Sequence, residues 1–154
     1  MEYRKACRTD VPAVISLVGE TIRAVYPKYY PQGVVDYFLE WHSPERIAAA
    51  VEAGQVNVML DAGKLVGTGS QEEGHISRVF VLPEYQGRGY GRYILDRLEK
   101  AVGAAHDTVQ VDASLPAVLL YERRGYRTVA HQREVTDSGC VLVWDVMEKR
   151  LKEE

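Results

Sequence analysis

The sequence predicts an α+β (mixed α/β) fold in which helices pack on a largely antiparallel sheet of about seven strands. Three observations carry that prediction. Apolar residues recur at helical spacing through the first third of the chain and in one central segment, and the period changes to two after Gly54. No repeat, low-complexity tract or linker divides the 154 residues, a length that builds one domain, residues 1–154, around a buried core.

Tyr3 to Ala6 predicts a first strand. Thr9 or Asp10 offers an N-cap ahead of Pro12, and Val14, Ile15, Leu17, Val18 and Ile22 predict a helix to about Val25. Tyr26-Pro27-Lys28-Tyr29-Tyr30-Pro31 is too proline-rich to continue it, and a second helix is predicted from about Val34 to Trp41. Ser43-Pro44-Glu45-Arg46 has the form of an N-cap, a proline in the first turn and an early acidic residue, so a short third helix comes next, which Gly54 can close. Val56, Val58 and Leu60 form one strand face, Asp61 to Lys64 a turn, and Leu65 to Ser70 the hairpin partner. His75 to Leu82 predicts a strand ended by Pro83. Gly89 to His106 predicts a long helix burying Ile94, Leu95, Leu98 and Val102. The rest reads as a strand (Thr108 to Ala113), a short helix (Pro116 to Arg124) and two strands (Tyr126 to Glu134, Cys140 to Glu148) joined by a turn at Thr136 to Gly139.

Composition excludes several classes. Apolar residues make up 46% and charged residues 27%, which argues against disorder and coiled coils. A net charge of −3 argues against nucleic-acid binding by charge alone. No apolar run is long enough to cross a bilayer, and MEYRKACRTD lacks the apolar core of a signal peptide. Cys7 and Cys140 lie far apart, without metal-ligand or disulfide-framework spacing, so the expectation is a reduced, cytoplasmic chain. His42, His106 and His131 have no partner at metal-ligand spacing, and no metal is expected.

The informative stretch runs from Ile76 to Leu98, ISRVFVLPEYQGRGYGRYILDRL. An apolar strand stops at a proline, the chain turns through Gln86-Gly87-Arg88-Gly89-Tyr90-Gly91, and an amphipathic helix begins. Alternate glycines remove Cβ atoms and let backbone N–H groups converge on an anion where the helix dipole is positive. Arg88 and Arg92 can add charge-assisted hydrogen bonds to such an anion, or can be solvated arginines beside a helix start. A P-loop would need Gly-Lys-Ser or Gly-Lys-Thr, absent from the chain. A dinucleotide fold would want G-x-G-x-x-G in a first βαβ unit, whereas this loop is in mid-chain with G-x-G-x-G spacing.

Gln86, Gly89 and Gly91, after the lead-in Val81-Leu82-Pro83-Glu84-Tyr85, resemble the Q/R-x-x-G-x-G/A acyl-CoA motif of the GNAT superfamily of N-acyltransferases. Tyr121-Glu122-Arg123-Arg124-Gly125-Tyr126 resembles that family's Y-E-x-x-G-F/Y segment. The two motifs stand in the family's order, and the element order around them agrees, so the resemblance spans nearly the whole chain.

The resemblance implies a single GNAT-like domain whose sheet contains a splayed parallel strand pair, and an acetyl-CoA-dependent N-acetyltransferase with acetyl-CoA as co-substrate. Backbone groups of Val79, Phe80 and Val81 would pair with the pantetheine arm. The loop of Gln86, Gly87, Arg88, Gly89, Tyr90, Gly91 and Arg92 would hold the pyrophosphate, and Ser114 stands where the family often has an asparagine on the CoA arm. Tyr121 would protonate the departing thiolate as general acid, the plain alternative being a packed helix tyrosine. The backbone N–H near Val81 is the family-like donor to the developing oxyanion.

An ammonium acceptor must also lose a proton, and His75 and Asp112 are the candidates near the cleft, with His75 titrating in the right range. Glu72 and Glu73 read as a solvated turn. The acceptor is expected to be a primary amine of a small molecule or peptide, met by the segment from Tyr26 to His42 and by the final hairpin. A packed lid or a homodimer contact is the other reading of that aromatic segment. A non-catalytic acyl-CoA-binding regulator and a nucleotide-binding module are the alternative functions. Tyrosine, 10 residues against 2 Phe and 2 Trp, combines an apolar body with a wet tip, and most tyrosines are expected to line one tunnel.

Overall fold

The computed structural model describes residues 1–151. Period-two segments become β1 (Glu2–Lys5), β2 (Val56–Asp61), β3 (Lys64–Glu72), β4 (His75–Val81), β5 (Thr108–Ala113), β6 (Arg127–Val135) and β7 (Val141–Arg150). Helical spacing becomes α1 (Val11–Val25), α2 (Gln32–Trp41), α3 (Pro44–Glu52), α4 (Tyr90–Gly103) and α5 (Val118–Arg123). The Ser43 Oγ accepts from the Arg46 amide at 3.3 Å, as the N-cap reading of α3 requires. Several boundaries differ from expectation, and α4 ends at Gly103 rather than His106. Pro116 lies in a separate 3-10 turn, Leu115–Ala117, so α5 begins only at Val118. The last strand runs on to Arg150 because it has a ladder to complete against Thr108 of β5.

The strands form one sheet in the order β1-β2-β3-β4-β5-β7-β6, with every pair antiparallel except β4 and β5. That parallel pair is short: only His75 with Gln110 and Ile76 with Val111 are in register. Beyond Ile76 the β5-facing edge of β4 has no strand partner, although both strands continue. The expected splayed pair is therefore present.

A bulge sits at the same level. Ser70 faces Ser77 and Thr68 faces Phe80, so three steps on β4 oppose two on β3, and Arg78 there adopts φ +50°. The extra residue reverses the facing of the rest of the strand. In an unbroken strand Ile76 and Phe80 would share a face. Here Ile76, Val79 and Val81 pack on the α4 side, while Phe80 joins the core under α1, α2 and α3. On the α4 side, Ile94, Leu95, Leu98 and Val102 are each no more than 1% exposed, as their spacing predicts. Gly69 makes this close contact possible, since a Cβ there would meet Ile94 Cγ2 and Leu98 Cδ1, each at 2.7 Å. Among the described residues no helix is long and apolar enough to cross a membrane.

Candidate active site

The site is built where the sheet opens. A cavity of about 870 Å³ runs from the turn before α4, along Val79, Phe80 and Val81, to Ser114 and Tyr121. Its floor is the unpaired edge of β4, whose main-chain groups can accept an extended ligand as an added strand. Its mouth is the glycine turn. Gly87 and Gly89 take φ +78° and +89°, and a Cβ at either would meet nothing within 4 Å. Conformation therefore requires glycine at these two positions, and the space above them stays open. The amides of Gly87, Arg88, Gly89, Tyr90, Gly91 and Arg92 have no protein acceptor among the described residues. Six consecutive unpaired donors at a helix N-terminus can receive an anion.

The expected loop residues divide in function. Gly87, Gly89, Tyr90, Gly91 and Arg92 line the cavity. Gln86 also lines it, but its amide is already bonded to the Pro83 carbonyl at 3.2 Å, and its side chain donates to the Val81 carbonyl at 3.0 Å. Gln86 thus ties the turn to the end of β4, and the free donors begin one residue later. The Arg88 guanidinium lies 5.0 Å over the Tyr85 ring, outside the cavity lining, so at this position the backbone amide is the group offered to a ligand. The Tyr90 hydroxyl donates to Asp61 at 2.5 Å, which pins the first turn of α4 to β2.

At the inner end Tyr121 is 7% exposed, and its hydroxyl has no hydrogen-bond partner among the described residues. Burial pushes its pKa above the ordinary tyrosine value, so the phenol keeps its proton. Its ring meets Tyr126 edge-on at 5.2 Å, and the Tyr126 hydroxyl donates to Glu99 at 2.9 Å. Glu99 also accepts from Arg124 at 2.5 Å and from Lys149 at 2.9 Å, so α4, the end of α5 and β7 are locked behind Tyr121. Across the slot the Tyr26 hydroxyl donates to Ser114 Oγ at 3.4 Å.

His75 does not line this cavity. It lies in a second one, of about 470 Å³, on the next stretch of β4 toward the N-terminus. Its Nε2 is 3.5 Å from Asp112 Oδ2, and the hydrogen bond to Asp112 raises its pKa above 6.5 against the opposing effect of burial. The two cavities share no lining residue but meet on consecutive residues, Arg78 in one and Val79 in the other. Glu72, expected in a solvated turn, is exposed and borders the second cavity.

The tyrosine expectation is corrected. Tyr26, Tyr85, Tyr90 and Tyr121 line the large cavity. Tyr30 is 6% exposed in the core, its hydroxyl accepting from the Leu115 amide at 2.7 Å; Tyr29 is exposed; and Tyr3 and Tyr93 contact each other edge-on elsewhere. Rings this large fill a small core wherever a hydroxyl reaches a partner, so many serve packing. Thr21 and Val25 also line the slot without having been singled out. Their four-residue spacing puts them on one face of α1, which was the available signal.

Fold and site together define a class: a domain whose split sheet and unpaired amides at a helix start can accept an extended, phosphate-bearing ligand. The chain belongs to the GNAT acetyltransferase family, since the model of the acetyltransferase (GNAT) domain matches residues 25–151. It is 33% identical over 103 residues to the uncharacterized N-acetyltransferase YafP of Escherichia coli K12, an alignment covering 60% of this chain and 66% of that protein. The GCN5-related N-acetyltransferase of Rhodopseudomonas palustris superposes with a TM-score of 0.87 at 26% identity, covering 97% of this chain and 94% of that one. The same fold occurs in the PaiA N-acetyltransferase of Thermoplasma acidophilum, solved with coenzyme A, at a TM-score of 0.73, 18% identity and coverage of 97% and 98%.

Proposed function

We propose that the protein is an acetyl-CoA-dependent N-acetyltransferase that acts in the cytoplasm on a primary amine of a small molecule or peptide, by direct transfer. One observation carries this reading: six unpaired amides sit at the mouth of a slot whose inner end is a protonated, unpartnered phenol. The residues fit a CoA-type ligand. The amides of Gly87 to Arg92 would take the pyrophosphate, Arg92 adding charge, and Val79, Phe80 and Val81 would pair with the pantetheine arm beside Ser114.

The ligand supplies an activated thioester: attack by a neutral amine forms the amide C–N bond, breaks the C–S bond and leaves the electron pair on sulfur. Tyr121 delivers its proton to that sulfur, and a backbone N–H near Val81 steadies the carbonyl oxygen as charge gathers on it. His75, with Asp112 behind it, accepts the proton that the amine must lose. Its place in the adjoining cavity supports entry of the acceptor from that side.

The test is release of free CoA thiol from acetyl-CoA with a panel of amines. Turnover is expected with at least one amine, and Tyr121→Phe should lower kcat by about 100-fold with little change in the KM for acetyl-CoA. Tight CoA binding with no thiol release from any amine would make the protein a CoA-binding regulator instead.

A further inference from the structure

The second cavity has an unusual charge arrangement. Arg78 and Arg46 both border it, as do Glu72 and Asp112, yet neither guanidinium comes within ion-pair distance of a carboxylate among the described residues. Asp112 is engaged with His75 instead. Arg78 is half-buried, and Nε is its only bonded nitrogen among the described residues, donating to His42 Nδ1 at 3.0 Å. Its two Nη groups are left without a protein acceptor there. Arg46 lies 4.4 Å over the Trp41 ring, which orients the guanidinium without neutralising it. Burial together with Arg78 and Arg46 drives the His42 pKa down to about 3, so the histidine is a neutral acceptor that adds no charge of its own.

A cation left half-buried without a counter-charge is costly, and an adjacent second cation raises the cost. The backbone adds to it. Arg78 holds φ +50° at the bulge, a region disfavoured for a non-glycine residue. In an unbroken strand this side chain would point to the α4 side; the bulge turns it into the cavity that holds Arg46. One more polar group lacks a partner there. Ser70 is 2% exposed, borders the same cavity, and its Oγ has no hydrogen bond among the described residues. Strained backbone, two unneutralised guanidiniums and an unsatisfied hydroxyl converge on one space.

We propose that this cavity receives the acceptor, and that Arg78 and Arg46 hold an oxyanion group on it, so the acceptor is an amine that also carries a carboxylate or a phosphate. The planar guanidinium fork suits either group. Arg78 adjoins Val79 of the slot, so an acceptor anchored by its oxyanion at Arg78 and Arg46 keeps its amine near the junction of the two cavities, within reach of the thioester. The proposal rests on the acetyltransferase reading, because only transfer requires an acceptor.

Matched probes test it with the full chain and acetyl-CoA. Each pair differs in one charged group: 4-aminobutyrate and 4-aminobutyramide, glycylglycine and its amide, phosphoethanolamine and ethanolamine. The charged member should show at least a tenfold higher kcat/KM, and the pair with the largest ratio distinguishes carboxylate from phosphate. Arg78→Met should abolish that preference through KM with kcat nearly kept, and Arg78→Lys should restore part of it. Arg46→Met, at an exposed position, gives the same readout should Arg78→Met fold poorly. Equal use of charged and neutral members, or a preference that survives both Arg→Met changes, overturns the proposal. Calorimetry of the same probes on the CoA-bound protein separates the two readings. Anion binding that is lost in Arg78→Met without any turnover keeps the site and refutes the transferase, whereas turnover of neutral amines alone keeps the transferase and refutes the site.

Discussion

Glu99→Gln isolates the lock behind Tyr121. The carboxylate is 9% exposed and accepts from Arg124, Lys149 and Tyr126, while the partner side chains of Arg124 and Lys149 are 14% and 26% exposed. The amide is nearly isosteric, so no cavity forms. The variant loses the charge and one acceptor oxygen while two cations stay in place. Breaking a buried pair from one side costs about 3–5 kcal/mol, and because Lys149 can turn to water the low end, about 3 kcal/mol, applies. An unfolding entropy of about 2.1 cal/mol/K per residue converts that into a fall in Tm of about 9 °C for a chain of 154 residues.

The pH dependence supplies a second readout. Burial raises the Glu99 pKa, but the bonds from Arg124, Lys149 and Tyr126 outweigh it and hold the group below 4.5. A depressed carboxylate pKa stabilises the fold above the unfolded value and ceases to do so as pH falls through the folded one, so wild type and variant should converge in acid. Thermal melts monitored by circular dichroism at pH 7 and through a series of acid pH values below 4.5 measure both effects. The oxygen that remains sits where Arg124 and Tyr126 both donate, so Tyr126 keeps its anchor, Lys149 loses its partner, and kcat and the KM for acetyl-CoA should change little. A Tm shift under about 2 °C at pH 7 would refute the reasoning, because a burial cost of this size cannot then reside at Glu99.

The same geometry sets three further outcomes. If His75 is the base, kcat/KM rises with pH on a limb above 6.5; Asp112→Asn moves the limb down toward 6.5 and His75→Gln removes it, as a pH–rate series would show. Gly89→Ala meets no neighbour but must hold φ +89°, so it should cost about 1 kcal/mol in stability and weaken acetyl-CoA binding by about tenfold in calorimetry, and unchanged affinity would count against the anion site. His42 is neutral in the fold with a pKa of about 3 against 6.5 unfolded, so lowering pH from 7 to 5 should remove about 2 kcal/mol of stability that His42→Phe does not lose, measured by urea unfolding.

Much of the lining of the larger cavity was legible because its residues are contiguous in sequence. Gln86 to Arg92 is one turn, and Val79 to Val81 leads directly into it, so spacing alone placed them together. The exchange of functions within the turn was not legible. Whether Gln86 offers its amide outward or spends it on Pro83 depends on φ and ψ, and Arg88 found an aromatic face on Tyr85 that spacing does not report. The lining of the second cavity is scattered over α2, α3, β3, β4 and β5, and no local pattern links His42, Arg46, Ser70, Arg78 and Asp112. Those residues become neighbours only when the sheet closes.

The sequence by itself determined the elements, the central apolar faces and the glycine turn, because periodicity, caps and φ preferences act over a few residues. Tertiary structure alone decided that β7 inserts between β5 and β6, that β4 leaves β5 after two paired residues, and that one extra residue at Arg78 turns a cation from one face of the sheet to the other. Register is set by the partner strand, and a shift of one residue exchanges every facing beyond it. The glycine turn marks where the activated acyl donor would be held, and the bulge governs which side chains line the adjoining cavity.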